Sequence, residues 1–339
     1  FNKFFNLDLM RFFTQRGLKL KTERQLRVFP ETDRANSVLE VLKKELRKNK
    51  VKIICKSAMK DILMQEKKVK GLLLNDGKVI AADRLILATG GISFSFTGST
   101  GEGLEIVVRL GHRLLPLRPG LVPLEIRQSY PRLLEGLTLK NIRLKFRSCA
   151  KQIESAIGEL LFTRTGISGP LVLSISGEVT DWFKGNEPVY VEIDLKPALS
   201  KEQLRARLLR EFQLNSKKSI KNTLKNLLPA RLVDVFMEMA KIMPQEKVSQ
   251  VTKEKRQALV SLLKGWRLDI SKARPIEEAM ITRGGVSLKD INPRTMESRL
   301  IKGLYFAGEI IDIDADTGGF NLPAAVSTGD LAGESSSSN

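Results

Sequence analysis

Apolar residues at Val38, Leu39, Val41, Leu42 and Leu46 recur at helical spacing opposite a face of Arg, Lys and Glu, so an amphipathic helix is predicted over 33–49. The apolar run at 51–55 then reads as a strand. Two further runs, 69–74 and 78–81, flank the Asn75-Asp76-Gly77 turn and predict a hairpin, followed by a buried strand at 84–88. A helix is predicted over 103–110, stopped by Gly111. Pro116, Pro119 and Pro123 then mark 114–126 as a crossing out of a first domain.

Short strand-like runs at 121–126, 142–147, 171–176 and 189–195, separated by Gly-rich turns, predict a β-rich insert. Helical spacing governs 201–212, 219–228, 230–243 and 253–263, with Pro229 and Pro244 as breaks. Beyond it the chain returns to α/β punctuation: Gly284, Gly285 and Val286, an apolar strand at 303–307, and a closing helix at 324–331. The expected fold class is therefore α/β, with a discontinuous first domain (1–114 and 276–333) interrupted by a β-rich insert (115–199) and a helical subdomain (200–275). The Ser-rich 334–339 reads as a disordered tail.

Charge alters this picture. The 339 residues carry a formal net charge of +19, and the segment 196–274 alone holds 19 Lys and Arg against 7 Asp and Glu. Such an excess attracts polyanions, so nucleic-acid binding, if present, is centred on the helical subdomain and on lysines such as Lys217, Lys218, Lys221 and Lys225; a solvated basic surface is the alternative. The chain is 42% apolar, enough for a sizeable core. No stretch reaches the roughly 18 to 20 consecutive apolar residues of a membrane span. Cys55 and Cys149 lack metal-ligand spacing and suit a reducing cytoplasm. His112, the sole histidine, lies just after the predicted helix end at Gly111, which argues against a Ser-His-Asp triad or a histidine metal site, and reads as structural.

Three clusters are candidates for chemistry. The strand at 84–88 runs into Ala88, Thr89, Gly90 and Gly91, where glycine lets backbone approach a ligand at a strand's carboxyl end; a plain tight turn is the alternative. The strand at 303–307 leads to Gly308, Glu309 and Asp312, acids placed to accept hydrogen bonds from sugar hydroxyls. Gly318, Gly319, Phe320, Asn321 and Leu322 then precede a helix whose positive end favours negative charge, or Asn321 merely caps that helix. Third, the Gly-, Thr- and Ser-rich 158–170 offers Arg164 as a planar fork and Ser168 as a hydroxyl for a substrate, or forms a turn with a solvated Arg.

Together these motifs resemble the aminoacetone-oxidase-like or bile-acid-reductase-like NAD(P)/FAD-dependent oxidoreductases. The resemblance rests on RVFP at 27–30, DRA at 33–35, ATGG at 88–91, TGSTG at 97–101, LFT at 161–163 with SGP at 168–170, GGV at 284–286, TMES at 295–298 and 303–321. It implies an FAD-binding domain of the glutathione-reductase type, here N-terminally truncated and without the family's glycine-rich nucleotide loop. The insert it implies is β-barrel-like and carries a helical part. It further implies FAD as cofactor with Met59 near the adenine, Ala88 to Gly91 beside the cofactor, Glu309 and Asp312 near the ribityl chain and pyrophosphate, and Gly318 to Leu322 beside the flavin ring. The activity it implies is reduction of a conjugated C=C bond with NAD(P)H-derived hydride, for instance of uridine in ribosomal RNA to dihydrouridine. A small-molecule enone reductase, an amine oxidase or a flavin-free RNA-binding remnant are the alternatives. The chain departs from the family pattern at Arg164, where His is usual, at Pro323, where Gln is usual, and at Leu26, where Gly is usual.

Overall fold

In the computed structural model, which describes residues 3–23, 26–149, 151–185 and 187–337, the chain forms two compact units, 1–120 with 279–339 and 121–278. The first begins with α1 (Asn6–Gln15), β1 (Leu20–Thr22), β2 (Val28–Pro30), α2 (Ala35–Lys48), β3 (Met59–Gln65), β4 (Lys68–Leu74), β5 (Val79–Ala81), β6 (Leu85–Leu87), α3 (Glu102–Arg109) and β7 (Leu114–Gly120). The second holds β8 (Leu124–Ile126), α4 (Pro131–Leu134), β9 (Thr138–Ser148), β10 (Lys151–Glu154), β11 (Gly158–Phe162), β12 (Gly166–Ser168), α5 (Pro170–Trp182), β13 (Val189–Asp194), α6 (Lys201–Leu214), α7 (Ile220–Leu224), α8 (Ala230–Met239), α9 (Lys253–Lys264) and β14 (Trp266–Ala273). The chain re-enters the first unit with β15 (Ile281–Val286), β16 (Leu304–Phe306) and α10 (Asn321–Ser337).

Within the first unit, β3, β4 and β5 form an antiparallel meander, and β16 lies parallel to β6 with Leu304, Tyr305 and Phe306 opposite Leu85, Ile86 and Leu87. Parallel pairing between strands so distant in sequence is what puts residues 88–91 and 307–310 at one end of the sheet. Leu87, Leu104, Val107, Leu304, Tyr305 and Phe306 close the core here. β15 pairs antiparallel with β7. Pro116 and Pro119 are tolerated in β7 because β15 is its only partner among the described residues. Gly284 is essential to that pairing: with φ +88, a Cβ would lie 2.4 Å from the Pro116 carbonyl oxygen.

In the second unit, β13 pairs with both β14 and β9, so the antiparallel order β9-β11-β12-β8-β14-β13 closes on itself, with β10 paired to β9 along the same edge as β11. Alternation does the work: Val189, Val191 and Ile193 are buried while Tyr190, Glu192 and Asp194 are less so. Trp266 is fully buried and meets Tyr130, Phe162 and Phe236 at ring separations of 5.7, 5.6 and 5.2 Å. Leu204, Leu208 and Phe212 of α6 join the same core as Leu259, Val260 and Leu263 of α9.

The structure corrects four expectations. The run 51–55 is not a strand: Val51, Ile53 and Ile54 stay exposed, and without a neighbouring strand among the described residues an apolar run has no ladder to join. Residues 171–176 are the first turns of α5, not a strand. Pro170 sits in the helix's first turn, and Leu171, Val172, Leu173, Ile175 and Ser176 are all buried, which erases the periodicity that separates helix from strand. The helical subdomain ends in strand, because 266–273 pairs with β13 and β8. Finally, α10 continues to Ser337 through most of the expected tail, with Glu334 ion-paired to Lys3 at 3.0 Å; residues 338–339 lie outside the described residues.

Candidate functional site

β6 and β16 end side by side, and the Ala307 N–H donates to the Leu87 carbonyl at 3.1 Å, so Ala88 to Gly91 and Gly308 to Glu309 leave adjacent strand ends together. What fixes the first loop is Thr282 of β15. Its hydroxyl accepts from the N–H groups of Ile92 at 2.8 Å and Ser93 at 3.0 Å. Gly91 is buried against this side chain, so closely that a Cβ would stand 2.2 Å from Thr282 Oγ1. A Cβ on Gly103 of α3 would likewise stand 2.1 Å from Thr89 Oγ1.

Glu309 joins the segments. Its Oε1 accepts from the Thr282 N–H and from the Ser93 hydroxyl at 3.5 Å, whereas Oε2 has no hydrogen-bond partner among the described residues and faces Gly90. On the other side the Gly308 N–H donates to Thr328 Oγ1 of α10 at 2.9 Å, and that hydroxyl donates to the Ala324 or Ala325 carbonyl. The acidic loop before α10 is closed by Asn321, whose Oδ1 accepts from the Ala315 N–H at 2.9 Å and whose Nδ2 donates to the Ala315 carbonyl at 2.8 Å. Asp312 is tied to β15 through its N–H to the Val286 carbonyl, 3.1 Å. Burial pushes its carboxyl above the ordinary aspartate range and Asp314 adds to this, while Arg283 opposes it.

These groups surround a cavity of about 270 Å³ lined by Thr282, Gly308, Glu309, Asn321, Leu322 and Thr328 among others. Its size, just below the ~300–1,000 Å³ of typical small-molecule sites, suits one portion of a dinucleotide. Gly319 has φ +91 with open space where a Cβ would stand, and Phe320 and Leu322 expose apolar surface. The structure thus sets Gly90 and Gly91 against Glu309 and Thr282 and places Gly308, Glu309, Asn321 and Leu322 on one cavity; Ala88 and Thr89 leave the end of β6, Asp312 is held to β15, and Gly318, Gly319 and Phe320 precede α10 outside the cavity lining. Met59 lies apart from these ties, at the start of β3, packed on the core of the same unit. Thr282, Thr328 and Ser93 were not legible as site residues; only the nearby Gly284 and Gly285 hinted at Thr282's strand.

The remaining candidates belong to the second unit. Arg164 occupies the turn between β11 and β12, and Ser168 ends β12 just before α5. Lys217 and Lys218 are exposed between α6 and α7; Lys221 is ion-paired with Asp234 at 2.6 Å, and Lys225 donates to Asn222 Oδ1 at 3.3 Å. His112 is buried and structural. Its Nε2 lies 2.7 Å from Ser298 Oγ and its Nδ1 3.2 Å from the Val107 carbonyl.

A parallel strand pair whose carboxyl ends carry glycine turns, an acid and a helix start defines a Rossmann-type site. The chain belongs to the HI0933-like family, whose Rossmann-domain model matches residues 1–335. It is 29% identical over 327 residues to the 3-dehydro-bile acid delta(4,6)-reductase of Clostridium scindens, covering 96% of this chain and 79% of that protein. It is 32% identical over 297 residues to the ribosomal RNA dihydrouridine synthase of Escherichia coli, covering 87% of this chain and 70% of that one. Among solved structures, a quinol-fumarate reductase with menaquinol molecules is similar with a TM-score of 0.45 and 17% identity, over 96% of this chain. The chain spans 55% of that reductase's length.

Proposed function

We propose that the protein is an FAD-dependent oxidoreductase that reduces a conjugated C=C bond with hydride from NAD(P)H. The observation that carries this reading is that 88–91 and 307–309 leave the same end of β6 and β16 together, with Glu309 Oε2 left as an acceptor unpartnered among the described residues beside the cavity. The residues fit such a group. Glu309 Oε2 and Asp312 offer acceptors for ribityl hydroxyls. Gly90 and Gly319 leave space for backbone approach, and the start of α10 favours negative charge. FAD, when bound, supplies the hydride chemistry, and the protein's part is to hold and orient. Phe320 and Leu322 supply apolar surface to shield a ring from water, and the Asn321 clasp fixes the loop that carries them.

Of the substrates in its relatives' names, RNA suits this chain's charge best, since 196–274 carries 19 basic against 7 acidic residues. The proposed reaction is reduction of a ribosomal RNA uridine to dihydrouridine, in the cytoplasm, on a base turned out of its stack or met before assembly. A small-molecule enone is the second reading, favoured by likeness to the bile-acid reductase over 96% of the chain. No described helix is long and apolar enough to cross a membrane. Purified protein is expected to show flavin absorbance, and a strain lacking the gene to lose one dihydrouridine from its ribosomal RNA. An unchanged dihydrouridine content refutes the RNA substrate; absence of flavin refutes both enzyme readings and leaves an RNA-binding protein without this chemistry.

A further inference from the structure

We infer that the groove between α6 and α9 is where RNA phosphates are held, gripped by Arg205, Lys253 and Arg256. This deepens the RNA reading above and rests on it. The groove has a volume of about 240 Å³ and an apolar floor of Leu208, Leu209 and Val260. Arg205 and Lys253 on its rim are exposed, and among the described residues no carboxylate lies within 4 Å of either. Arg256 is anchored, its Nη1 donating to the Val251 carbonyl at 2.9 Å. Neighbouring cations are already spent: Lys255 is paired with Glu246 at 2.8 Å and Lys264 with Asp194 at 2.6 Å. The acids of the same two helices, Glu202, Glu211 and Glu254, do not line the groove.

The opposite flank of α6 carries Arg207 and Arg210 beside a second hollow. Arg207 is near enough to Lys196 to lower that lysine's pKa, after burial, which lowers it most. Cations therefore crowd both sides of one helix, offset in part by Glu211 beside the second hollow and by Glu254, whose charge acts on Lys253 and Arg256; a chain of regularly spaced phosphates relieves the remaining excess. No aromatic residue lines the groove, so it offers no stacking platform, and the grip is expected to be indifferent to sequence.

The test is fluorescence anisotropy of a labelled oligouridylate with the full chain over a salt series. R205E/K253E should weaken binding about tenfold at low salt and flatten the slope of log affinity against log salt by about 1.4, the value for two single-strand phosphate contacts. K52E/K56E, with the same change of net charge on exposed residues of the first unit, should leave the slope unchanged. R205Q/K253Q, checked for a wild-type melting curve, should give the same direction without charge reversal. Equal losses in the two reversed pairs, or an unaltered slope in R205E/K253E, overturn the groove while the RNA substrate stands. Wild-type binding that ignores salt overturns the electrostatic grip, whereas the RNA substrate is refuted separately by an unchanged dihydrouridine content. Tighter binding of polyglutamate than of oligouridylate at matched charge assigns the groove to an acidic protein instead.

Discussion

Replacing Gly91 by Ala tests the contact that shapes the first loop. The new Cβ would lie 2.2 Å from Thr282 Oγ1 and 2.4 Å from its Cβ, too close for either atom to remain. Thr282 cannot simply rotate, because its hydroxyl accepts from both Ile92 and Ser93. Overpacking costs about 1–3 kcal/mol. Losing the two hydrogen bonds adds about 0.5–1.5 kcal/mol each, so with overpacking a destabilisation of about 2–6 kcal/mol is expected. Hydrogen exchange reads this locally: protection of the Ile92 and Ser93 amides should fall at least about thirtyfold, the equivalent of 2 kcal/mol. Urea unfolding of G91A, T282G and the double variant completes a cycle in which G91A costs much less once Thr282 is gone. Unchanged protection in G91A, or an equal cost of G91A in both backgrounds, would falsify the steric argument.

Thr328→Val preserves shape but leaves the Gly308 N–H without its acceptor, and a loss of about 1–3 kcal/mol is expected in denaturant unfolding, with weaker FAD binding by fluorescence quenching. His112 has a pKa lowered chiefly by burial, so the unfolded chain binds its proton more readily than the folded one. Stability should therefore fall as pH drops below 6.5 and towards the depressed folded value, and H112Q should flatten that slope in unfolding curves taken across the range. Tyr130 is pushed up to about 12, mainly by burial. Its neutral form is favoured by folding, so stability should decline from pH 10 to about 12; an ultraviolet titration should lose its latest ionisation step in Y130F.

Turn chemistry and period made much of the fold legible. The hairpin about Asn75-Asp76-Gly77, the strands that became β6 and β16, and α2, α3, α6 and α9 all follow from local pattern. Two kinds of information were hidden. Where nearly every position is buried, as over 171–176 in α5, composition no longer distinguishes helix from strand. Where a strand depends on its neighbour, as at 51–55, the apolar run alone decides nothing. β3 and β14 were missed for the related reason that Lys60, Asp61, Arg267, Asp269 and Lys272 interrupt their short apolar stretches. The candidate site was legible through its glycines and acids, which have few other uses at strand ends. Thr282 and Thr328 were not, because a threonine's role as a shared acceptor depends on what the fold brings to it.

Glu309 divides its labour between two oxygens. One is locked by a backbone amide that can only donate; the other is at liberty. An amide in its place would be forced into a single orientation, carbonyl toward Thr282 and NH₂ toward Gly90, so Glu309→Gln reverses the polarity presented to a ligand while sparing the scaffold. The residue thus separates architecture from recognition within one side chain.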